Sequence, residues 1–326
     1  MRTWPAVGDM SNGEGAALVD VVSPARINRR WLGRGAVTVG VAAFLLWALI
    51  PALRGVALVA NRAGRAAPDA RIAGIPVRDA HFTASDGVAL AGWLAIASPD
   101  APTVILVHGF KGARASMLPW ARYLYAAGYN TLLYDSRGCG ASAGWGIGVG
   151  ATEPADIIGA ARYLQALPTL HNKRIGALGV SLGAGEVILA AARDPALRAV
   201  IADSPWADEQ PQIDRMGSLP VGPLALPLLP YEPALVSALI GAPLANARPA
   251  AAAGQIAPRA LMVITSADDA NTTTAPADQA RIFAAAGQPR VHWIAPSGGH
   301  AGALAAHPAD YQARTLAFLA QYLGPA

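Results

Sequence analysis

The sequence is short of cysteine and of charge, and each shortage restricts what the protein can be. Its single cysteine, Cys139, excludes an internal disulfide framework and a metal site built from several cysteines. Charged residues make up 14% of the chain against 53% hydrophobic residues, an apolar balance that indicates a membrane contact. The net charge of +4 comes largely from arginines before residue 72. Later segments show no basic patch interleaved with aromatics, so we expect no nucleic-acid partner.

One long apolar run lies near the N-terminus. A basic tail, residues 1–35, precedes it, and residues 36–53 carry no formal charge. Together with the short apolar piece after Arg54, this run predicts a transmembrane anchor over residues 36–60 in contact with the lipid bilayer. We expect the N-terminus inside and the bulk of the chain on the extracytoplasmic side. Residues 61–76 predict a linker.

A cleaved secretory signal is the alternative interpretation of this run. Small residues are frequent between Ala57 and Ala67, as at signal cleavage sites, and cleavage there would give a secreted protein. However, the charged region before the run is long for a signal peptide, and the run itself is longer than a typical signal core. The sequence therefore favours an uncleaved, single-pass anchor.

From residue 77 onward, short apolar strands alternate with amphipathic helices. This alternation predicts an α/β domain over 77–326, with a largely parallel sheet covered by helices on both faces and an antiparallel hairpin at its start. Residues 206–258 interrupt the alternation and are rich in proline and leucine. We interpret this segment as a cap insertion that covers the site or touches the bilayer.

The segment Gly179-Val-Ser181-Leu-Gly183 lies where a buried strand ends and a helix begins. In this setting the pentapeptide predicts a nucleophile elbow, a strained turn that presents the hydroxyl of Ser181 above the sheet. The positive end of the following helix lies beside that hydroxyl.

A serine nucleophile requires a base, and His300 is the best-placed histidine. It lies in the glycine-rich loop Pro296-Ser-Gly-Gly-His-Ala-Gly302, directly after the last predicted strand. His307 is better explained as a surface or helix-entry residue. We expect His108, in the loop after the first central strand, to support that loop rather than to act in catalysis.

The carboxylate should follow the strand between the elbow and the histidine loop. Asp268 and Asp269 both follow the predicted strand at 261–265. The spacing from Ser266 favours Asp269 over Asp268, and Asp203 is a lesser alternative. We expect Asp135 to be structural, paired with Arg137.

Hydrolysis also requires two backbone amides directed at the developing oxyanion. The first is expected from Leu182, the residue after the nucleophile. The second is expected from Phe110 in His108-Gly109-Phe110, where Gly109 allows the backbone to turn inward.

Together these motifs, with Asp135-Ser-Arg-Gly-Cys-Gly-Ala-Ser142, resemble the α/β-hydrolase superfamily from about residue 77 to the end. The closest resemblance is to bacterial serine hydrolases with an N-terminal anchor, related in pattern to prolyl-oligopeptidase and dienelactone-hydrolase-like proteins. The resemblance implies a mostly parallel eight-stranded sheet, a triad of Ser181, Asp269 and His300, and an oxyanion hole of the Phe110 and Leu182 amides. Ser266 departs from the family, which commonly has glycine there.

The expected function is cleavage of an ester or thioester of an apolar acyl group through an acyl-enzyme, with a small acyl compound as substrate. This chemistry requires no metal and no diffusible cofactor. A serine peptidase of the same fold is the second hypothesis. The third is a binding module of this fold without catalysis.

Overall fold

The computed structural model describes residues 29–61, 74–208 and 217–326, with side chains from residue 34 onward. The predicted basic tail up to residue 28 and most of the predicted linker, residues 62–73, therefore lie outside the described residues. The chain divides into two compact units, Met1–Leu46 and Trp47–Ala326.

The first helix, α1 (Arg29–Val59), begins in the first unit and ends in the second. Its segment Arg34–Val59 has a mean hydropathy of 2.2 and is long and apolar enough to cross a membrane or to serve as a signal sequence. Large apolar side chains that would ordinarily be buried are exposed in its first-unit part: Val37, Val39, Val41, Phe44, Leu45 and Leu46.

From Trp47 onward, α1 packs within the second unit. Val59 is 1% exposed, and its carbonyl accepts the amide of Ile147 at 2.9 Å. Asn61, also buried, donates its side-chain amide to Cys139 Sγ at 3.1 Å. The end of the apolar helix is thus part of the core of the second unit.

In its described residues, the second unit contains ten strands. They are β1 (Arg78–Thr83), β2 (Ala89–Ala95), β3 (Thr103–Val107), β4 (Asn130–Tyr134), β5 (Ile175–Val180), β6 (Leu197–Asp203), β7 (Ser218–Val221), β8 (Leu224–Pro227), β9 (Ala260–Ser266) and β10 (Arg290–Ala295). Eight form one sheet in the order β1-β2-β4-β3-β5-β6-β9-β10. The strands β1, β2 and β4 pair antiparallel, and β4, β3, β5, β6, β9 and β10 pair parallel. The mostly parallel eight-stranded sheet is confirmed.

Helices cover both faces of this sheet. After α1, the described helices are α2 (Leu118–Ala126), α3 (Pro154–Ala166), α4 (Leu182–Arg193), α5 (Glu232–Ile240), α6 (Pro249–Ala252), α7 (Pro276–Ala285), α8 (Ala303–Ala306) and α9 (Pro308–Tyr322). Alternate residues of the central strands face opposite layers, so that Ile105 and Ala177 lie in one core cluster and Leu106 and Leu178 in the other. This two-sided burial explains why the central strands are continuous apolar runs.

The chain forms a 3-10 turn at Arg114–Met117, and α2 begins directly after it at Leu118. Pro119 lies in the first turn of α2, where its missing amide costs nothing, but further inside a helix it would break the hydrogen-bond ladder.

The expected pairing of Asp135 with Arg137 was wrong. The Asp135 carboxylate accepts the backbone amide of Arg114 at 2.7 Å and lies 3.5 Å from its guanidinium. Arg137 instead pairs with Asp86 at 2.8 Å and with Asp156 at 2.6 Å. The guanidinium therefore ties the first hairpin turn to α3, a long-range contact that residue spacing does not reveal.

The predicted cap segment contains a hairpin, β7–β8, and the helices α5 and α6 within its described part. Residues 209–216 of the segment lie outside the described residues. The hairpin was not predicted from the sequence.

Candidate active site

Ser181 lies on the turn between β5 and α4, with φ 58° and ψ −117°. Such a positive φ is strained for a residue with a side chain. The turn closes tightly, because a Cβ on Gly179 would overlap the carbonyl oxygen of Gly183. The flanking glycines thus allow strand and helix to approach, as expected for a nucleophile elbow.

His300 lies next to this hydroxyl. Its Nε2 is 2.8 Å from Ser181 Oγ, although the two residues are far apart in the chain. The loop that carries the imidazole is held from below, where the amide of Ala301 donates to Ser204 Oγ at 3.1 Å. The Ser181 hydroxyl is therefore within proton-transfer distance of an imidazole.

Asp269 lies on the other side of that imidazole. Its Oδ2 is 3.1 Å from His300 Nδ1, and the residue is only 6% exposed. Thr274 Oγ1 lies 2.9 Å from the same Nδ1 and 3.3 Å from Asp269 Oδ2. A carboxylate here favours the tautomer with the proton on Nδ1, which leaves Nε2 free to accept the serine proton.

Asp268 occupies a different environment. Its exposed carboxylate accepts the amides of Gly298 and Gly299 at 3.3 and 2.8 Å. The Gly299 hydrogen bond lowers the pKa of Asp268 below its usual value. Of the two adjacent acids, one thus contacts the imidazole and the other contacts the backbone of the histidine loop.

Asp203, the remaining candidate acid, is fully buried beneath the site. It accepts hydrogen bonds from the Tyr311 hydroxyl at 2.9 Å and from Ser204 Oγ at 3.1 Å. Burial raises the pKa of Asp203 to about 6. Because Ser204 also receives the Ala301 amide, this acid supports the histidine loop from below.

The loop after β3 runs past the nucleophile. A Cβ on Gly109 would lie 3.2 Å from Ser181 Cβ, so a glycine gives the backbone room beside the hydroxyl. His108 is buried: its Nδ1 lies 2.8 Å from the Gly109 carbonyl and its Nε2 accepts the Ser136 amide at 3.1 Å. Burial lowers the pKa of His108, so a neutral imidazole braces this loop.

The remaining histidines with described side-chain partners lie elsewhere. His307 Nε2 contacts Ser297, His292 contacts Thr265, and His171 contacts Asp100. Among the described residues, no group of three or more His, Cys, Asp or Glu could hold a metal ion.

A cavity of about 640 Å³ opens above Ser181 and His300. Apolar groups dominate its described lining, which includes Leu58, Phe110, Val149, Leu182 and Trp206. Polar contributions come from Ser116, Asn271, Thr273 and Thr274. No Asp, Glu, Lys or Arg is among the described residues that line it.

Sequence reasoning missed several of these positions, of which three come from distant segments. Leu58 belongs to α1, Trp206 begins the cap, and Thr274 follows the acid loop. Trp206 could have been suspected as a large aromatic after a strand end. Nothing in the local pattern around Leu58 or Thr274 distinguishes them, because their positions in the site depend on how distant segments pack.

A model of the X-Pro dipeptidyl-peptidase family (S15) matches residues 76–294, more than half of the chain. An uncharacterized 31.7 kDa protein from the traX-finO intergenic region of Escherichia coli is 36% identical over 126 residues, 38% of this chain and 44% of that protein. A polyketide transferase of Penicillium sp is 34% identical over 145 residues, 41% of this chain and 47% of that protein. The chain thus spans less than half the length of these curated relatives.

Solved structures show the same architecture. An esterase of Pyrococcus furiosus, 22% identical, aligns with a TM-score of 0.65 over 82% of this chain and 99% of its own. The α/β hydrolase GrgF of Penicillium sp, 25% identical, aligns with a TM-score of 0.61 over 76% of this chain and 99% of its own. The chain has the α/β-hydrolase fold and belongs to the X-Pro dipeptidyl-peptidase (S15) family.

Proposed function

We propose that this chain is a serine hydrolase that cleaves an ester or thioester of an apolar acyl group. One observation carries the proposal: the hydrogen-bonded row of Ser181, His300 and Asp269 opens into a cavity whose described lining is mostly apolar. A nucleophile, a base and an orienting acid in contact are the geometric requirement for acyl transfer.

In the proposed reaction, Ser181 Oγ attacks the substrate carbonyl carbon while His300 Nε2 takes its proton. Asp269 accepts the hydrogen bond from the Nδ1 proton and stabilises the imidazolium that forms. His300 then protonates the leaving alcohol or thiol, and an acyl-enzyme remains. Water repeats the sequence, releasing the carboxylic acid and the free serine.

The amides of Leu182 and Phe110 are the proposed oxyanion hole. Both residues line the cavity beside Ser181, and Leu182 is the first residue of α4. The positive end of that helix adds favourable electrostatics for the developing negative charge. A donor at such a site accelerates acyl transfer by about 10²–10³-fold.

The lining of the cavity favours an apolar acyl group. Burying a charged substrate group without a partner is costly, and the described lining offers neither an acid nor a base other than His300. The names of related proteins point to the same chemistry, since they include a polyketide transferase and a thiohydrolase of Aspergillus aculeatus that is 29% identical over 130 residues.

A serine peptidase is the second candidate, because the matching family is described as X-Pro dipeptidyl-peptidase. Such an enzyme must hold the free ammonium of its peptide, which calls for an acidic side chain in the pocket. The described lining provides none, and this supports the ester over the peptide.

We also propose that α1 is retained as an anchor. Signal cleavage at any of the small residues from Ala60 to Ala67 would remove Leu58, which lines the cavity, and buried Val59. Cleavage of a signal peptide normally removes no residue of the folded core. Carbonate extraction tests this: we expect full-size protein in the membrane pellet, whereas shortened protein in the supernatant would overturn the anchor.

The hydrolase is tested with a fluorophosphonate probe and a substrate panel. Full-length protein in detergent should be labelled, and Ser181→Ala should abolish labelling and ester hydrolysis. Ser116→Ala is the matched control, because this serine lines the same cavity but donates to the Ala113 carbonyl, so both signals should persist. Folded protein without labelling would support a binding module, and cleavage of X-Pro peptides without ester hydrolysis would support the peptidase.

A further inference from the structure

The cap hairpin β7–β8 presents an unusually apolar surface. Leu224 is 66% exposed, Val221 48% and Leu226 47%. From Gly217 to Tyr231 the sequence contains no charged residue. Monomeric proteins rarely expose a contiguous apolar surface of this kind unless something covers it.

The same segment is hydrogen-bonded to α1. The Trp47 indole Nε1 donates to the Pro227 carbonyl at 2.6 Å, and Arg54 Nη1 donates to the Ser218 carbonyl at 2.9 Å. The Tyr231 hydroxyl, just beyond the hairpin, donates to the Ala48 carbonyl. Contacts at Trp47, Ala48 and Arg54 fix where along α1 the hairpin lies.

The length of the apolar run then determines what surrounds the hairpin. A helix needs about 20 apolar residues to cross a hydrocarbon core of about 30 Å. The uncharged run over 36–53 is about 27 Å long at 1.5 Å per residue. Because Arg34 lies just before this run, the span cannot shift towards the N-terminus, so an anchor crossing the bilayer keeps Trp47–Leu53 within or at the edge of the apolar layer. The hairpin segment, which contacts Trp47 and Ala48, therefore lies at the same depth in the apolar layer.

The cavity extends to the end of α1. Leu58 of α1 and Phe110, which is 46% exposed, both line the cavity. Next to Phe110, Lys111 Nζ donates to the Ala57 carbonyl at 2.6 Å. The end of α1 thus forms part of the wall of the site.

We propose that the hairpin β7–β8 inserts into the acyl layer of the membrane that α1 crosses, and that the enzyme takes acyl esters dissolved in that bilayer as substrates. The docking half of the proposal rests on the proposed anchor, and within it stands on the apolar hairpin and its contacts with α1. The substrate half rests on the proposed hydrolase function.

Docking is tested with a fluorescent probe on the hairpin. The native Cys139 is 1% exposed, and burial raises the pKa of its thiol to about 12, so it resists labelling. Leu224→Cys in full-length protein is labelled with an environment-sensitive dye and reconstituted in phosphatidylcholine liposomes. Pro195→Cys is the control, on an exposed turn before β6, at the opposite edge of the sheet from the site.

We expect blue-shifted emission from the Leu224 probe and quenching by lipids brominated on their acyl chains. The Pro195 probe should keep water-like emission and escape quenching. Water-like, unquenched emission at Leu224 would overturn the docking. This readout involves no catalysis, so it is independent of the proposed hydrolysis.

The substrate half is tested with Leu224→Asp, which places a charge on the inserted surface. Hydrolysis of a long-chain acyl ester presented in the liposomes should fall at least tenfold, while hydrolysis of soluble p-nitrophenyl acetate should be unchanged. Ile294→Asp, an exposed apolar position on β10, should alter neither rate. Equal rates on the liposomal ester for wild type and Leu224→Asp would overturn the proposal. A wild-type protein that hydrolyses neither ester would instead overturn the hydrolase.

Discussion

Two adjacent carboxylates, Asp268 and Asp269, show how one residue of spacing separates two roles. The turn after β9 directs the Asp269 side chain inward to His300 and the Asp268 side chain outward to the amides of Gly298 and Gly299. Both acids therefore act on the histidine loop. Only Asp269 touches the imidazole, and Asp268 shapes the backbone that carries it.

Replacing each acid by its amide separates these roles. Asp269→Asn should lower kcat for a short acyl ester by about 10⁴-fold, because an amide in this position favours the wrong imidazole tautomer. Asp268→Asn should change kcat by less than tenfold, since a side-chain carbonyl still accepts an amide hydrogen bond. The measurement is steady-state kinetics on detergent-solubilised protein, and the reverse ranking would transfer the triad role to Asp268.

Asp203 provides a pH prediction at the same scale. Its folded pKa of about 6 lies above its unfolded value near 3.8, so the folded state binds this proton more tightly. Its contribution to the free energy of unfolding is then largest at low pH and is lost as pH rises towards 7. Asp203→Asn stays neutral throughout, so its stability relative to wild type should rise between pH 4 and 7, by up to about 3 kcal/mol.

Urea unfolding at several pH values checks this difference. The comparison with Asp203→Asn is necessary because the pKa of buried Asp156, in another part of the domain, is raised to about 7. That group titrates in both proteins and cancels. A constant stability difference across the pH range would show that Asp203 keeps an ordinary pKa in the folded protein.

At the scale of elements, the turn between β5 and α4 combines backbone strain with close packing. Ser181 has a positive φ, and Gly183 lies so close to β3 that a Cβ there would be 2.6 Å from the Val107 carbonyl oxygen. The strain is sustained because the strand and helix on either side are fully packed. The packing of β5 and α4 therefore holds Ser181 in its strained conformation, and that packing requires glycine at the close approaches.

Gly179→Ala should destabilise the protein by about 4 kcal/mol or prevent folding, because the new methyl would overlap the Gly183 carbonyl oxygen. The matched control is Gly241→Ala at the C-terminus of α5. Gly241 has φ 70°, and a methyl group added there would have no atom within 4 Å. Only the cost of holding alanine in a left-handed conformation applies, about 1 kcal/mol. Urea denaturation compares the two, and equal losses would mean that the turn relaxes around an added methyl group.

At the scale of the whole molecule, the apolar helix α1 begins in one compact unit and ends in the other. Its N-terminal part exposes large apolar side chains, and its last turns are packed beside α5, where a Cβ on Gly55 would lie 3.2 Å from Val236. The residue pair Arg54–Glu232 adds an ion pair at 3.8 Å. The C-terminal end of α1 therefore cannot be removed without opening the core of the second unit.

Two truncations test this division. Deletion of residues 1–46 should leave hydrolysis of a short acyl ester within a few-fold of the full-length rate in detergent. Deletion of residues 1–61 also removes buried Val59 and the acceptor of the Ile147 amide, a loss of about 2 kcal/mol that should lower Tm by about 5 °C. Thermal unfolding in the same detergent gives the comparison, and equal Tm values would contradict a structural role for the end of α1.

The sequence by itself determined the features that depend on local pattern. Apolar runs punctuated by turns indicated the sheet and its covering helices, and the tight Gly-x-Ser-x-Gly turn indicated the elbow. The order of strands and loops along the chain also identified Ser181, Asp269 and His300 as candidates, because in this fold each follows a strand that ends at the same edge of the sheet.

Only the tertiary structure decided the features that depend on distant segments. Arg137 pairs with Asp86 and Asp156 rather than with nearby Asp135, since charges pair across space and not along the chain. Leu58 reaches the cavity, and the cap hairpin meets α1, through packing between segments more than 50 residues apart. The hydrophobic periodicity of the sequence does not reveal such contacts, because they depend on how helices and strands pack against each other in the folded protein.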